Sequence, residues 1–276
     1  MKRTIPKEVE DAYVAEVADA GPDKAKKIAA SLGIEWRRAY RWLHRAGLRF
    51  DRERLPLDVK AFDGEMTEEK AYWLGFLMAD GHIEEDEAKE PSVSLSQSTT
   101  AHGPDGEATL LAFAKFLGSG YAVPKRVDRY GNESIGTQIR SLELAESLAR
   151  HGVLPRKTNR ESASPGLASN RNFWRGYVDG DGSPGLNRNT PKIEVVGSIR
   201  ILEQFLSFAG FPEVAIRSHH GTGQIMLYGR RAVMAGLLMY EPSSVAMAGK
   251  KATVLSWKSL KTKRPRQPKP PGSQGA

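Results

Sequence analysis

Two related segments of the chain, each ending in an Asp-Gly pair, carry the residues best suited to chemistry. They read YWLGFLMADG at positions 72–81 and FWRGYVDGDG at positions 173–182. Aligned, they share an aromatic residue, Trp, Gly, a second aromatic residue, an aliphatic residue and a final small-Asp-Gly triplet. A segment that recurs with its acid at the same place predicts an internal duplication.

The acids of the two segments, Asp80 and Asp181, are predicted at the C-terminal ends of helices. A negative charge there is disfavoured by about 0.3 to 1 kcal/mol, so the position needs another justification. If the helices pair about a pseudo-twofold axis, the carboxylates converge, and like charges brought close require a cation or a proton. Mg²⁺ (or Mn²⁺) held by two carboxylates and phosphate oxygens satisfies this requirement. The pair therefore predicts phosphodiester cleavage.

The helices that must position these acids are predicted to be buried and in contact. Each segment is apolar around most of its circumference, which is typical of a helix inside a core. Gly75 and Ala79 lie four residues apart on one face, as do Gly176 and Gly180. Small residues on one face allow two helix backbones to approach closely, so we expect the two helices to pack together.

The ends of the two helices are also predicted from residue type. Thr67, followed by two acids, is a credible N-cap of the first helix. Gly81 and Gly182 follow the last helical residues, where a left-handed conformation is common. We therefore expect both glycines to be left-handed.

Both segments resemble the LAGLIDADG motif of homing endonucleases, and two copies in one chain resemble the monomeric, two-motif branch of that family. The resemblance covers residues 60–258. It implies an α+β fold of two pseudo-symmetric αββαββα repeats whose sheets form a DNA-binding saddle. It also implies that the last acid of each motif, Asp80 or Asp181, binds the catalytic metals. By resemblance, the cut spans the minor groove and leaves short 3′ overhangs.

Two positions depart from the family pattern. The sixth motif position is Met78 in the first copy and Asp179 in the second, and Arg175 stands where a small residue is usual. Neither departure removes an expected metal ligand.

The predicted elements after each motif occur in the same order, as a duplication requires. After the first motif we expect strands at 82–86, 92–98, 121–127 and 135–140 and helices at 108–117 and 142–151. After the second motif we expect strands near 186 and at 193–198, 214–218 and 224–228, with helices at 200–209 and 231–239.

Each repeat closes on a basic element, at residues 152–158 and 247–251. The resemblance implies a lysine near the scissile phosphate, where it stabilises developing charge or orients the attacking water. Lys157 and Lys250 are the assignments, and Lys251 is a rival for Lys250. The structural alternative is a cation that only interacts with nearby helix ends.

The polar residues of the predicted strands and their turns are candidates for reading DNA. Alternate residues of a strand face the same side, so only some of them can contact a duplex. Arginine and glutamine have the geometry for guanine and adenine edges. The candidates are Arg126, Arg129, Tyr130, Gln138 and Arg140 in the first repeat and Arg188, Arg217, His219, His220 and Gln224 in the second.

Residues 7–50 predict three short helices, at about 8–18, 25–32 and 35–45. The last two, joined by Gly33-Ile34, resemble a helix-turn-helix whose second helix enters the major groove. Its open side would carry four arginines, namely Arg37, Arg38, Arg41 and Arg45. The alternative is a small helical bundle whose arginines only maintain solubility.

Composition excludes several classes of site. The absence of cysteine excludes disulfides, thiolate nucleophiles, Cys-ligated zinc and iron–sulfur sites. The longest apolar run, at 232–240, is far below the roughly 20 residues that a membrane span needs. No apolar signal segment opens the chain, so we expect a cytoplasmic, nucleoid-associated protein without membrane contact.

The net charge of +8 favours a polyanionic partner, and its location is informative. No acid follows Glu241, and the excess lies beyond it. We expect a module at 1–55, a charged linker at 51–64, repeats at 60–160 and 161–258, and a disordered basic tail at 259–276. The tail would either attract DNA without specificity or have no function.

These features predict a monomeric, site-specific endonuclease that acts on double-stranded DNA with Mg²⁺ (or Mn²⁺). One alternative is a catalytically inactive relative that regulates transcription, which a helix-turn-helix would suit. The other is an RNA maturase that assists intron splicing. Both acids and both lysine elements are present, which favours the enzyme.

Overall fold

A computed structural model describes residues 6–21, 24–48, 56–86, 89–219 and 221–260 of the chain. Several predicted features lie outside the described residues. They are the tail beyond 260, residues 51–55 of the predicted linker, His220, and the side chains of Arg37 and His219. Within the described ranges, no helix has the length and apolar character needed to cross a membrane. The chain divides into two compact units between Leu55 and Pro56.

The first unit consists of three helices, as the sequence predicts. They are α1 (Lys7–Ala20), α2 (Ala25–Ser31) and α3 (Trp36–Arg45). Their apolar faces share a small core in which Tyr13, Ile28 and Trp42 are buried. The hydroxyl of Tyr13 donates to the carbonyl oxygen of Ala25 at 3.0 Å, which ties α1 to the start of α2. The turn before α3 contains Gly33 in a left-handed conformation.

The second unit is α+β and contains the expected αββαββα order twice. The first repeat comprises α4 (Glu68–Ala79), β1 (His82–Asp86), β2 (Lys89–Ser98), α5 (Thr99–Phe116), β3 (Lys125–Val127), β4 (Glu133–Arg140) and α6 (Leu142–Arg150). A one-turn helix, α7 (Pro165–Ala168), precedes the second repeat. That repeat comprises α8 (Arg171–Asp181), β5 (Gly182–Asn187), β6 (Thr190–Gly197), α9 (Ile199–Ala209), β7 (Arg217–His219), β8 (Thr222–Tyr228) and α10 (Arg230–Tyr240). Helix α11 (Ala248–Ser256) and a short 3₁₀ helix (Trp257–Ser259) follow.

The two sheets are antiparallel and have the same topology, β1-β2-β4-β3 and β5-β6-β8-β7. Leu95 pairs with Thr137 in the first sheet, and Val195 pairs with Ile225 in the second. These residues are buried and define the face that packs on the helices. Because strand residues alternate, the neighbouring positions form an opposite face, which no described helix of the second unit covers. The repeated topology confirms the predicted fold class.

The motif helices α4 and α8 pack directly against each other at the centre of the second unit. A Cβ atom added to Gly75 would lie 1.9 Å from the carbonyl oxygen of Phe173. The equivalent atom on Gly176 would lie 1.9 Å from the carbonyl oxygen of Tyr72. The matching distances show a pseudo-twofold contact of the predicted kind. Only glycine permits this approach, because any side chain would occupy the space of the opposing backbone.

The helix ends differ partly from expectation. Thr67 is the N-cap of α4, since its side chain accepts the backbone N–H of Lys70. The left-handed conformation predicted for Gly81 and Gly182 is wrong. Instead, a Cβ atom at either glycine would lie 2.6 Å from the carbonyl oxygen four residues earlier. These glycines allow the chain to turn tightly from helix into strand.

Three further expectations are corrected by the structure. Residues 56–64 are not a linker, because Phe62 is fully buried in the core of the second unit. Strand β3 covers only Lys125–Val127 of the predicted 121–127, and β7 begins three residues later and ends one residue later than the predicted 214–218. The sequence patterns also missed α7, which is a single turn, and α11, whose first turn contains a glycine and two lysines instead of an apolar period.

Candidate active site

The close packing of α4 and α8 brings the two motif acids to the same end of the helix pair. Asp80 is the C-cap residue of α4, and Asp181 is the last residue of α8. A Cβ atom on Gly180 would lie 3.3 Å from Oδ2 of Asp80. The carboxylate of Asp80 therefore lies against the last turn of α8, beside Asp181. The charge of Asp80 also acts on Asp181, which places the two acids near each other at this end of the helix pair.

The electrostatic environment of Asp181 reflects this convergence. Burial is the main cause that raises its pKa from 3.8 to about 7, and the charge of Asp80 raises it further. Glu161 acts in the same direction, whereas Lys157 and Lys250 lower the pKa. A pair of carboxylates that resists double ionisation near neutral pH is suited to binding a cation.

The raised pKa predicts a pH-dependent stability. Between about pH 4 and pH 7 the folded protein retains a proton on Asp181 that the unfolded chain has lost. The free energy of unfolding should therefore decrease as the pH rises across this interval. Asp181→Asn removes the titrating group, so the variant should exceed the wild type in stability at pH 8 and lose that advantage towards pH 4. Urea denaturation in EDTA at several pH values measures this. An unchanged difference at every pH would contradict it.

The two predicted lysines lie at the same end of the helix pair as the acids. Nζ of Lys157 donates to the carbonyl oxygen of Ala79 at 2.6 Å, at the end of α4. Nζ of Lys250 donates to the carbonyl oxygens of Asp179 at 2.6 Å and Gly182 at 2.7 Å, at the end of α8. Burial lowers the pKa of both lysines, and the charges of Asp80 and Asp181 oppose that shift.

These contacts bear on two questions left open by the sequence: whether Lys250 or Lys251 is the second site lysine, and whether the lysines only interact with helix ends. Nζ of Lys251 donates to the carbonyl oxygen of Ser243 at 2.6 Å, so it is Lys250 that reaches the end of α8. Both predicted lysines do interact with helix ends, as the structural alternative required. The same ammonium groups also lie within the electrostatic field of the acids, which a purely structural cap does not require.

Gln97 is a site residue that the sequence interpretation missed. Its Nε2 donates to Oδ2 of Asp80 at 2.5 Å, and its side chain is only 3% exposed. Its Oε1 is buried and has no hydrogen-bond partner within the described part of the chain. The signal was present in the sequence, because Gln97 occupies a core-facing position of β2 after Val93 and Leu95.

Glu161 was missed as well. It lies between the two repeats and is 8% exposed. Its charge contributes to the raised pKa of Asp181 and of the buried Tyr177 hydroxyl, although burial is the main cause of both shifts. No periodic pattern in its segment pointed to this role.

The oxygen groups at the ends of α4 and α8 fit a divalent cation. The two carboxylates are hard ligands, and the unpaired Oε1 of Gln97 is a further hard oxygen beside Asp80. Among the described residues, no cluster of three or more His, Cys, Asp or Glu forms a self-contained metal site. Mg²⁺ does not require one, because it commonly keeps waters and takes phosphate oxygens in addition to one or two carboxylates.

The structure explains why the second motif has an acid, Asp179, at the position that Met78 occupies in the first motif. The side chain is fully buried and accepts three hydrogen bonds, from the Tyr72 hydroxyl at 2.9 Å, the Tyr240 hydroxyl at 2.6 Å and the backbone N–H of Met247 at 2.7 Å. Burial raises its pKa, and these donors oppose the shift. Its carboxylate connects α8 to α4, α10 and the segment before α11.

Arg175 is likewise a buried connector. Its guanidinium donates to Glu68 at 2.8 Å and to the carbonyl oxygens of Met239 and Val245 at 2.9 Å and 2.6 Å. It also lies over the ring of Tyr72. The two departures from the motif therefore hold the motif helices to the last part of the second repeat.

The predicted DNA-reading residues of the first repeat lie on or beside the uncovered face of the first sheet. Gln138 and Arg140 alternate with buried residues of β4, and Arg126 pairs opposite Ser134 at the edge of the sheet. Arg129 lies in the β3–β4 hairpin, over the ring of Tyr130, which is 73% exposed. Each of these side chains is exposed.

The predicted residues of the second repeat are less uniform. Arg188 lies in the β5–β6 turn, and Arg217 is exposed at the edge of the sheet. Gln224 is only 8% exposed, and its amide donates to Glu194 on the neighbouring strand. Strands β7 and β8 pair antiparallel, with His219 opposite Thr222, as expected for a hairpin.

The arginines of α3 are partly engaged within the first unit. Arg45 forms an ion pair with Glu10 at 2.7 Å, which limits its availability. Arg38, Arg41 and Arg45 line a shallow pocket together with Tyr40 and Trp42. The lining of this pocket therefore combines cationic and aromatic groups.

No protein-family model and no curated protein sequence matches the chain. Its structure is similar to that of the homing endonuclease I-WcaI bound to its DNA recognition sequence, with 12% identity, a TM-score of 0.49 and coverage of 71% of this chain and 90% of that one. It is also similar to I-DmoI in complex with DNA and Ca, with 14% identity, a TM-score of 0.43 and coverage of 72% and 99%.

A third similar structure is full-length DUF199/WhiA from Thermatoga maritima, with 14% identity, a TM-score of 0.43 and coverage of 74% of this chain and 66% of that one. The chain itself has an α+β fold of two αββαββα repeats, each with a four-stranded antiparallel sheet.

Proposed function

We propose that this protein is a divalent-metal-dependent endonuclease that cuts both strands of a specific DNA site and acts as a monomer. The observation that carries the proposal is the convergence of Asp80 and Asp181, with one partly buried lysine at the end of each motif helix. The motif resemblance supports the same reading. The two carboxylates resist double ionisation near neutral pH, and a bound cation would relieve this, which favours the enzyme over a regulator or a structural protein.

In the proposed reaction, Asp80 and Asp181 hold Mg²⁺ (or Mn²⁺) through their carboxylates. When bound, the ions supply Lewis-acid stabilisation of the attacking and leaving oxygens. Gln97 holds the Asp80 carboxylate in place through its Nε2 and presents its Oε1 to the same site. Lys157 and Lys250 supply positive charge at the scissile phosphates and orient water there.

The uncovered faces of the two sheets are the proposed DNA-binding surface of the second unit. In the first sheet, the exposed-face residues of β2 and β4 include Ser94, Ser96 and Gln138. In the second, β6 and β8 present Glu194, Val196 and Met226 instead. Because the two halves offer different chemistry, the site that they read should be non-palindromic.

The first unit is the proposed second DNA contact, as a helix-turn-helix that places α3 in the major groove. Arg38 and Arg41 are its proposed phosphate or base contacts. Arg41→Ala should weaken DNA binding and reduce the slope of log K against log salt concentration by about one unit. Fluorescence anisotropy between low and moderate salt measures both quantities. A matched Lys115→Ala substitution on the second unit is the control, and an unchanged slope for Arg41→Ala would exclude this contact.

Selection of cleaved molecules from a randomised DNA library tests the proposed function. We expect Mg²⁺-dependent enrichment of one asymmetric sequence and no enrichment in EDTA. Enrichment by binding without any cleavage would favour the transcription regulator instead. Binding of structured intron RNA in preference to every DNA sequence would favour the maturase.

A further inference from the structure

The chain segments that carry the two lysines are each fastened to the opposite repeat. Lys250 follows the second repeat, and Lys157 follows the first. Each lysine reaches the end of the motif helix of its own repeat. The hydrogen bonds that hold its backbone segment, however, come largely from the other half of the unit.

The segment before Lys250 is held by three carboxylates from three helices. The backbone N–H groups of Ser244, Met247 and Gly249 donate to Glu68 at 2.8 Å, Asp179 at 2.7 Å and Asp105 at 2.7 Å, respectively. Glu68 and Asp105 belong to the first repeat. Asp105 reaches the N–H of Gly249 in the first turn of α11, directly before Lys250.

The segment after Lys157 is held by α9 of the second repeat. The backbone N–H of Ala163 donates to Oε1 of Gln204, and Nε2 of Gln204 donates to the carbonyl oxygen of Ala163, both at 2.9 Å. Ser198, the N-cap of α9, donates its backbone N–H to Glu161 at 3.2 Å and its hydroxyl to the Glu161 carbonyl oxygen at 2.7 Å. Gln204 thus pairs with the backbone as a neighbouring strand would.

We propose that each repeat positions the lysine carried by the other, with Asp105 and Gln204 as the positioning residues for Lys250 and Lys157. The inference rests on the proposed function for its catalytic meaning, but its geometry does not. Within the described residues, neither Asp105 nor Gln204 forms a hydrogen bond or an ion pair with a lysine or a motif acid. Such reciprocal fastening couples the two cutting centres, so that neither is complete unless both repeats are docked.

The physical reason for such fastening is the cost of burying an ammonium group. Both lysines are partly buried, and each is retained by carbonyl oxygens at a helix end. An unfastened backbone segment would let the ammonium group return to solvent, where it is better hydrated. Hydrogen bonds to the segment therefore determine how much of the time each lysine is in place.

Lysine labelling of the free protein tests the positioning without any DNA. The probe is limiting formaldehyde with cyanoborohydride, and the extent of methylation at each lysine is read by peptide mass spectrometry. Asp105→Ala should raise labelling of Lys250 about tenfold and leave Lys157 unchanged, because a lost hydrogen bond to a charged acceptor has that order of effect. Gln204→Ala should do the reverse. Asp105→Asn, which keeps an acceptor oxygen, should largely restore protection of Lys250.

The controls are acidic neighbours on the same helices, Glu107→Ala on α5 and Glu203→Ala on α9, which should leave both lysines protected. Circular dichroism establishes that each variant is folded. Equal labelling of both lysines in either variant, or no change in any variant, would overturn the inference. A general loss of structure would raise the labelling of both lysines together and change the circular dichroism spectrum. It can therefore be distinguished from the loss of positioning at one lysine.

Strand-resolved cleavage of a duplex selected with the wild-type protein tests the catalytic meaning. With a different dye on each strand, Asp105→Ala should slow one strand by about tenfold and Gln204→Ala should slow the opposite strand by a similar factor. Equal slowing of both strands by each variant would reduce these residues to structural roles and overturn the inference. If the wild type cuts no DNA, the proposed function fails, while the labelling result still decides the positioning.

Discussion

Asp181→Asn is expected to reduce double-strand cleavage by at least about three orders of magnitude while leaving specific DNA binding largely intact. The carboxylate that binds a catalytic ion contributes several kcal/mol of transition-state stabilisation, and each 1.36 kcal/mol is a factor of ten in rate. The amide keeps the shape of the side chain and removes only the charge. Binding is carried by other surfaces, namely the sheets and α3, so it should persist.

The measurement is single-turnover cleavage of a selected duplex, with binding followed separately by anisotropy. Asp80→Asn should show the same separation of cleavage from binding. Glu146→Gln, an exposed acid on α6, is the matched control and should behave as the wild type. Full cleavage by either motif variant would refute the assignment of the acids.

Gly176→Ala is expected to destabilise the second unit by at least about 3 kcal/mol, the upper part of the range for overpacking a core. The added Cβ would lie 1.9 Å from the carbonyl oxygen of Tyr72, and backbone cannot move aside as a flexible side chain can. Gly75→Ala meets Phe173 in the same way and should be equally damaging. Both variants should also lose cleavage, since separating the helices separates the acids.

Urea denaturation followed by circular dichroism measures the loss of stability. Gly166→Ala is the matched control, because the added atom would meet nothing within 4 Å. That control should change the free energy of unfolding by less than about 1 kcal/mol. Wild-type stability in either motif variant would show that α4 and α8 are not packed as described.

The duplication made much of the fold and the central pair of acids predictable from sequence. Two copies of one motif fix a pseudo-symmetric pair of helices, and glycines at matching positions indicate where their backbones meet. The alternation of β2 and β4 and the 3.6-residue period of α9 were strong enough to place those elements. Helix α7 is a single turn, and the first turn of α11 contains a glycine and two lysines, so neither shows an apolar period.

The rest of the site depends on contacts between residues distant in sequence. Gln97 is informative only once its strand is known to face the helices, and Glu161 lies in an irregular segment without a pattern. The prediction of a left-handed conformation was wrong for Gly182 because the chain passes directly into a strand there. Glycine is needed at this position because a side chain would collide with Val178. The roles of Asp179 and Arg175 follow from buried partners on α4 and α10 that no local pattern reveals.

The most direct test of the paired acids is a crystal structure of the protein with a selected duplex and Mn²⁺, with the ions located by anomalous scattering. The account predicts Mn²⁺ within about 2.0 to 2.3 Å of carboxylate oxygens of both Asp80 and Asp181, at the scissile phosphates. Mn²⁺ bound elsewhere, or carboxylates that contact only protein groups in the DNA complex, would contradict it.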